Sequence, residues 1–131
     1  MQGEDIWTYR RFEPGQTFGV VDIQMDPIKH ANWQDIFGPS PEETLPRGML
    51  VAAMMEAYIR AIQPRPKGNI HAAQTLDFTD HMPRWGDTIS IAVSCQAKEE
   101  KKGRFWVDFG IRAAVEENRV LSGTIRSIWA Q

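Results

Sequence analysis

Hydrophobic and polar residues alternate along much of this chain with a period of two, which is typical of β-strands that bury one face. Five segments show the pattern: residues 17–24, 70–79, 88–96, 104–115 and 120–130. The links Lys102-Gly103 and Glu117-Asn118 have the length and composition of hairpin turns. Links this short predict antiparallel pairing, because parallel crossovers need a dozen or more residues.

Details within the predicted strands bear on how the sheet is built. Four apolar residues of the second strand are expected to share one side: Ile70, Ala72, Leu76 and Phe78. Gly123 is expected to mark a bulge in the last strand. Cys95 falls on the apolar side of its strand, which predicts a buried and unreactive thiol.

Two other segments carry helical signals. Asp26 supplies a capping side chain and Pro27 suits the first helical position, so a helix is expected from Asp26 to about Phe37. A second helix is expected from Arg47 to Gln63, and it is apolar around nearly its whole circumference. A helix with this pattern is expected to be covered by protein on most sides.

These elements predict an α+β domain in which a bent antiparallel sheet wraps around one long central helix, the hotdog fold. The length of 131 residues predicts a single domain. Residues 1–12 are polar with scattered aromatic side chains, and we expect them to form a flexible N-terminal arm.

Composition and charge narrow the classes of function. The chain is 42% hydrophobic with a net charge of −2, which predicts no nucleic acid or membrane partner. One cysteine, no apolar run of about 20 residues and no signal-peptide core predict a cytoplasmic protein. Three histidines and the cysteine are too dispersed to predict a metal site.

Several short motifs resemble those of the MaoC-like dehydratases, the (R)-specific enoyl-CoA hydratase group of hotdog proteins. Arg47-Gly48-Met49-Leu50 resembles the family's His-Gly-Met-Leu start of the central helix. The other matching segments are residues 12–18 at the N-terminal entry, 76–78 with 82–88 before a central strand, and 121–123 in the closing hairpin. The resemblance covers about Phe12 to Trp129.

This resemblance implies that the chain binds an acyl-CoA or acyl-carrier thioester and hydrates or dehydrates it at the α,β carbons. It implies no cofactor other than the coenzyme A of the substrate itself. It also implies a thioester site between two subunits, in a homodimer or in a heteromer with another hotdog chain.

The sequence departs from the family at the residues that do the chemistry. The family's hydratases carry Gly-Asp-x-Asn-Pro-x-His after the first helix, and its Asp and His activate water. The corresponding stretch here is Gly38-Pro39-Ser40-Pro41-Glu42-Glu43, and no histidine lies between Gly38 and Gly48. The family's acid–base pair therefore cannot be transferred to any residue of this chain.

Gly48 is the strongest candidate for substrate binding. The N–H groups at a helix N-terminus polarise a carbonyl oxygen, and glycine lets a substrate approach the backbone. A tight packing contact is the competing interpretation of this glycine. Met49, with Ala52 and Ala53, would line the acyl chain.

Basic side chains are candidates for binding the phosphates or adenine of coenzyme A, or are simply solvated charges. They are Arg47, Arg84, Lys101, Lys102 and Arg104. The tryptophans Trp85 and Trp106 are candidates for a subunit interface.

Candidate catalytic residues are few. His81 with Asp80 is a possible base with its companion acid, although a polar turn explains the pair equally simply. His30 is a possible base one helical turn after Asp26, which itself is expected to be the cap. His71 is expected to have a structural role.

Three functions therefore remain open. The first is a hydratase or dehydratase, and the second is a catalytically silent subunit of a heteromeric hydratase. The third is an acyl-thioester hydrolase that uses Glu42 or Glu43, residues that a solvated loop would also explain.

Overall fold

The computed structural model describes residues 5–39 and 43–131. It contains helices α1 (Pro27–Phe37) and α2 (Arg47–Ala61), and a 3₁₀ turn at Tyr9–Arg11. The strands are β1 (Thr17–Gln24), β2 (Ile70–Phe78), β3 (Thr88–Lys101), β4 (Arg104–Val115) and β5 (Asn118–Trp129). They form one sheet in the order β1-β3-β4-β5-β2, with every neighbouring pair antiparallel. The predicted α+β architecture is confirmed.

One face of α2 packs on the sheet and forms the centre of the core. The buried residues of this face recur at helical spacing: Leu50, Ala53, Met54, Ala57 and Tyr58. The Tyr58 hydroxyl and the Ser127 Oγ of β5 lie 2.8 Å apart and share a buried hydrogen bond. This contact ties the last turn of α2 to the sheet and pairs two hydroxyls that burial would otherwise leave unsatisfied.

Four more apolar residues of α2 are half-buried against the core, namely Met49, Val51, Met55 and Ala61, which agrees with a helix covered on most sides. Two apolar positions of the helix nevertheless stay open in the described chain. Ala52 is exposed, and Ile59 keeps 45% of its surface accessible. The helix also ends at Ala61, before the expected Gln63, because Ile62 leaves the helical region with φ −117° and ψ 87°.

β2 is an edge strand, and a bulge changes which residues share its faces. The pairing with β5 shifts between His71 and Ala73, so that His71 lies opposite Ser127. Leu76 and Phe78 are half-buried, but Ile70 is 51% exposed. The predicted single apolar side of β2 is therefore wrong, because the extra residue at the bulge reverses the alternation.

Gly123 is not a bulge, since the β2–β5 and β4–β5 pairings continue regularly through it. A Cβ built on Gly123 would lie only 2.2 Å from the carbonyl oxygen of Thr75 on β2. Glycine is required there because the two backbones approach so closely.

Two further expectations concern single segments. Cys95 is buried, as predicted, and burial raises the pKa of its thiol, which disfavours the reactive thiolate.

Residues 7–12, expected as part of a flexible arm, lie against the domain: the Trp7 N–H donates to the Pro64 carbonyl at 2.9 Å, and Phe12 is fully buried. Neither described helix has the length and apolarity needed to cross a bilayer.

We expect Gly123→Ala to lower the free energy of unfolding by about 2 kcal/mol, because its methyl group forces β2 and β5 apart. Gly110→Ala is the matched control: its Cβ would meet the Ser94 hydroxyl and the Gln96 side chain, whose ends can move. We expect a clearly smaller loss for this control. Urea denaturation measures both, and equal losses would contradict the close-approach explanation.

Candidate functional site

The start of α2 is held in place by backbone pairing between two loops. The Leu45 N–H donates to the Pro83 carbonyl at 2.8 Å, and the Trp85 N–H donates to the Glu43 carbonyl at 2.9 Å. The segment before α2 is thereby joined to the segment before β3. This pairing fixes the first turn of α2, called the α2 tip below and comprising residues 46–50, at one end of the sheet.

The α2 tip presents backbone N–H groups without acceptors. Pro46 is the N-cap and supplies no capping side chain, while its carbonyl accepts from the amides of Met49 and Leu50 at 3.0 and 3.3 Å. Within the described chain, the amides of Arg47 and Gly48 have no hydrogen-bond acceptor. These amides, together with the positive end of the helix dipole, suit an oxygen that carries negative charge.

Gly48 lies at the surface of the α2 tip, beside an indole ring. A Cβ at this position would meet the ring of Trp33 on α1 at 3.5 Å, which is an ordinary van der Waals distance. Packing against Trp33 therefore does not require glycine at position 48. Gly48 is itself exposed, so a ligand can reach its backbone from the solvent beside Trp33.

Two arginines lie near the α2 tip. The guanidinium of Arg47 sits 4.7 Å from the centre of the Phe78 ring at the end of β2. Arg84 forms an exposed ion pair with Glu43, and exposed pairs of this kind are easily exchanged. Both candidate binding arginines are thus at the same end of the sheet as Gly48. Met49 is half-buried in the same turn.

His30 belongs to the same corner of the molecule. Its ring stacks on Trp85 with the centroids 4.3 Å apart and the planes 10° apart. The buried Nε2 of His30 has no hydrogen-bond partner among the described residues. Because Trp33 follows three residues later on the same helix face, His30 lies one turn from the ring that contacts Gly48.

Asp26 caps α1, as expected. Its Oδ1 accepts a hydrogen bond from the Lys29 N–H at 2.8 Å. The carboxylate is therefore occupied at the start of the helix, while His30 faces Trp85.

Asp80 and His81 lie in the exposed turn that follows β2. The His81 backbone N–H donates to the Thr79 Oγ1 at 3.3 Å, and that hydroxyl donates to the Arg119 carbonyl at 2.6 Å. No hydrogen bond within the described residues joins the side chains of Asp80 and His81. Of the two loop carboxylates, Glu42 lies outside the described residues and Glu43 is paired with Arg84.

The basic residues of the β3–β4 hairpin lie at the other end of the sheet. Five side chains line a cavity of about 330 Å³ there: Lys101, Lys102, Arg104, Trp106 and Arg126. β3 begins beside the α2 tip and its 14 residues span about 45 Å. Within one chain, the hairpin lysines are therefore far from Gly48.

Sequence reasoning missed two features of the surface. One is the Trp33 contact with Gly48, for which the chain offered no signal beyond an aromatic residue on α1. The other is a polar groove of about 660 Å³ on the sheet face opposite α2, where Ser94, Gly110 and Thr124 lie in register. The sequence signal for this groove was the set of polar residues that alternate with the buried residues along the strands. Neither cavity includes the α2 tip, which lies on an open surface of the described chain.

Solved structures with the same architecture are found, although no family model and no curated relative matches the sequence. A point mutant of the fluoroacetyl-CoA-specific thioesterase FlK is 18% identical, with a TM-score of 0.67 over 89% of this chain and 87% of that one. The monoamine oxidase regulatory protein from Archaeoglobus is 9% identical, with a TM-score of 0.78 over 95% and 94%. The (R)-hydratase from A. caviae involved in PHA biosynthesis is 16% identical, with a TM-score of 0.68 over 90% and 97%. These likenesses confirm the hotdog fold.

We expect Asp26→Ala to destabilise the protein by about 1 kcal/mol, because α1 loses its cap, while Asp26→Asn retains the cap and most of the stability. Thermal unfolding of the two variants measures the difference. An equal loss of stability in Asp26→Asn and Asp26→Ala would contradict the capping role of this side chain.

Proposed function

We propose that the chain binds an acyl thioester of coenzyme A or of an acyl carrier, with the thioester carbonyl at the α2 tip. The observation that carries the proposal is the pair of amides at Arg47 and Gly48, which have no acceptor in residues 5–39 and 43–131 and lie on an accessible helix N-terminus. A thioester carbonyl that accepts these N–H groups becomes polarised. Negative charge that develops on its oxygen during reaction is stabilised.

The side chains around the tip suit the remaining parts of such a ligand. Met49 and the exposed Ala52 form an apolar strip along α2 that can take the acyl chain. The cations of Arg47 and Arg84 are available to phosphate groups of the carrier. Trp33 supplies a flat wall beside Gly48, and its indole limits access of water to the carbonyl.

The reaction class that we propose is hydration or dehydration at the α,β carbons. Polarisation of the carbonyl withdraws electrons from the β carbon, which is the change that water addition requires. Within the same chain, His30 or His81 with Asp80 would move the proton. His30 has the stronger support, because its buried Nε2 lacks a partner among the described residues and a water or substrate would satisfy it.

Hydrolysis of the thioester is a second candidate. It is favoured by the similarity to the fluoroacetyl-CoA thioesterase FlK, which matches this fold as well as the (R)-hydratase does, with TM-scores of 0.67 and 0.68. Glu43 would have to leave Arg84 in order to direct a water. A silent subunit of a heteromeric hydratase is a third candidate. It is favoured because the sequence lacks the Asp and His that the hydratases among the MaoC-like proteins carry after their first helix.

The protein is further proposed to act as a dimer or as a heteromer with another hotdog chain. The support is the free outer edge of β2, together with the apolar surface that α2 leaves exposed. Sheet edges of this kind are normally paired or protected.

We expect Gly48→Val to weaken binding of crotonyl-CoA at least about tenfold, because its side chain occupies the space where the carbonyl meets the amides. Gly48→Ala is the matched control, since a methyl group at 3.5 Å from Trp33 fits. Isothermal titration calorimetry measures the affinity, and circular dichroism checks the fold. Unchanged binding in a folded Gly48→Val protein would refute the site.

The reaction classes are separated by products formed from short and long enoyl-CoA substrates. Loss of the conjugated double bond without thiol release indicates hydration, and thiol release indicates hydrolysis. We expect His30→Ala to lower hydration by about a hundredfold and His81→Ala to lower it less. Activity that appears only after a second hotdog protein is added would support the silent subunit.

A further inference from the structure

The cavity beside the β3–β4 hairpin, called the hairpin pocket below, lies at the other end of β3 from the α2 tip. It has a volume of about 330 Å³ and is lined by Lys101, Lys102, Arg104, Trp106 and Arg126. Small-molecule sites occupy roughly 300–1,000 Å³ and combine an aromatic wall with a few charged groups. Since the 14 residues of β3 separate the two ends of the sheet, a ligand here is distinct from an acyl chain at the α2 tip.

Trp106 forms a wall of the hairpin pocket and is not part of the core. Its neighbours Phe105 and Val107 face the core, so the strand alternation turns the Trp106 side chain to the opposite face of the sheet. There the residue is half-buried, and the Cζ of Arg126 lies 4.5 Å from the centre of its ring. An indole with a guanidinium stacked on it is a flat surface that suits a heterocyclic base.

Arg126 is held in this position by two carboxylates. Its Nη1 donates to both carboxylate oxygens of Asp108 at 2.9 Å, and its Nη2 donates to Glu99 Oε2 at 2.8 Å. These charge-assisted hydrogen bonds balance the charge of the guanidinium and fix its plane. Arg126 therefore supplies a stacking surface and not a free cation.

The other three cations of the hairpin pocket remain available to an anion. Lys101, Lys102 and Arg104 are exposed, and none of them forms an ion pair within residues 5–39 and 43–131. They come from the end of β3, the turn and the start of β4, so three like charges line one small cavity. This arrangement attracts a group with several negative charges, such as a phosphate chain.

Lys102 occupies a turn position to which lysine is poorly suited. The two-residue link between the paired Lys101 and Arg104 has positive φ at both positions, 53° at Lys102 and 75° at Gly103. Hairpin turns of this kind favour Asn-Gly, whereas the Cβ of a lysine crowds the backbone at positive φ. A disfavoured residue whose charge lines a cavity indicates that the charge serves a ligand.

From these features we infer that the hairpin pocket binds a nucleoside phosphate. The base stacks on the Trp106–Arg126 surface, and the phosphates contact the three free cations. A second copy of the chain is a poorer occupant, because a twofold contact would bring the same three cations of both copies together. Coenzyme A offers the same base and phosphate chemistry at its adenosine end, so the source of the nucleotide is part of the test.

Isothermal titration calorimetry of the full chain with ATP, adenosine and inorganic tripolyphosphate tests the two halves of the site. We expect ATP to bind at least about tenfold more tightly than adenosine or tripolyphosphate, because only ATP engages both the stacking surface and the cations. Absence of ATP binding overturns the inference. Equal affinity for tripolyphosphate and ATP also overturns it, since the pocket would then be a charged patch without base recognition.

Lys102→Asn locates the binding without harming the fold, because asparagine suits the turn and removes the charge. We expect the affinity for ATP to fall about fivefold while the Tm stays the same or rises. Arg104→Gln should weaken ATP to a similar extent. Its matched control is Arg119→Gln, an exposed arginine beside the β4–β5 hairpin, which should bind ATP like the wild type. Wild-type ATP affinity in Lys102→Asn overturns the inference.

Trp106→Leu tests the stacking surface and separates a ligand site from a subunit interface. We expect ATP to bind about tenfold more weakly, with an unchanged elution volume in size-exclusion chromatography. Circular dichroism checks the fold of the variant. A changed oligomeric state together with unchanged affinity for ATP assigns Trp106 to a subunit interface and overturns the inference.

Titration with coenzyme A identifies the source of the nucleotide. If Lys102→Asn weakens coenzyme A as much as ATP, the pocket takes the adenosine end that the two ligands share. If it weakens ATP alone, the pocket takes a free nucleotide, and both results support the site. The thioester proposal is judged separately: failure of crotonyl-CoA to bind at the α2 tip leaves the ATP site standing, and absence of ATP binding leaves the thioester site in place.

Discussion

The packing of α2 on the sheet is the contact on which the other features depend. A single apolar stripe, from Leu50 to Tyr58, is buried mainly against β1, β3 and the central strand β4. The Tyr58–Ser127 hydrogen bond fixes how far the helix can slide, because displacement would leave two buried hydroxyls without partners. Since a helix is rigid over 15 residues, holding its buried stripe and its last turn also fixes the direction of its first turn.

The position of that first turn explains why several candidate binding residues lie at one corner of the molecule. The loops before α2 and before β3 are paired through Leu45 with Pro83 and through Glu43 with Trp85. This pairing draws α1 into the corner, because His30 stacks on Trp85 and Trp33 meets Gly48. Residues from three separate segments thus surround a helix end capped by Pro46, whose first two amides have no acceptor among the described residues.

Local signals in the sequence predicted most of the elements and, through the short hairpin links, the overall fold, but not the faces of β2 or the position of the basic residues. Asp26-Pro27 and Gly38 delimit α1 correctly, and strict alternation gives β4 its observed bounds, because these signals act within a few residues. The bulge at Ala72 could not be foreseen, since β2 takes its faces from the pairing with β5. Likewise, Lys101 and Arg104 looked like binding residues by type. Only the length of β3 shows that they lie at the far end of the sheet from Gly48.

The nearly uniform apolarity of α2 exceeds what the described chain buries. The isolated domain buries one stripe and leaves Ile59 almost half exposed, so the sequence pattern is more hydrophobic than this fold alone needs. The open edge of β2 shows the same excess, since an unprotected strand is a liability in a monomer.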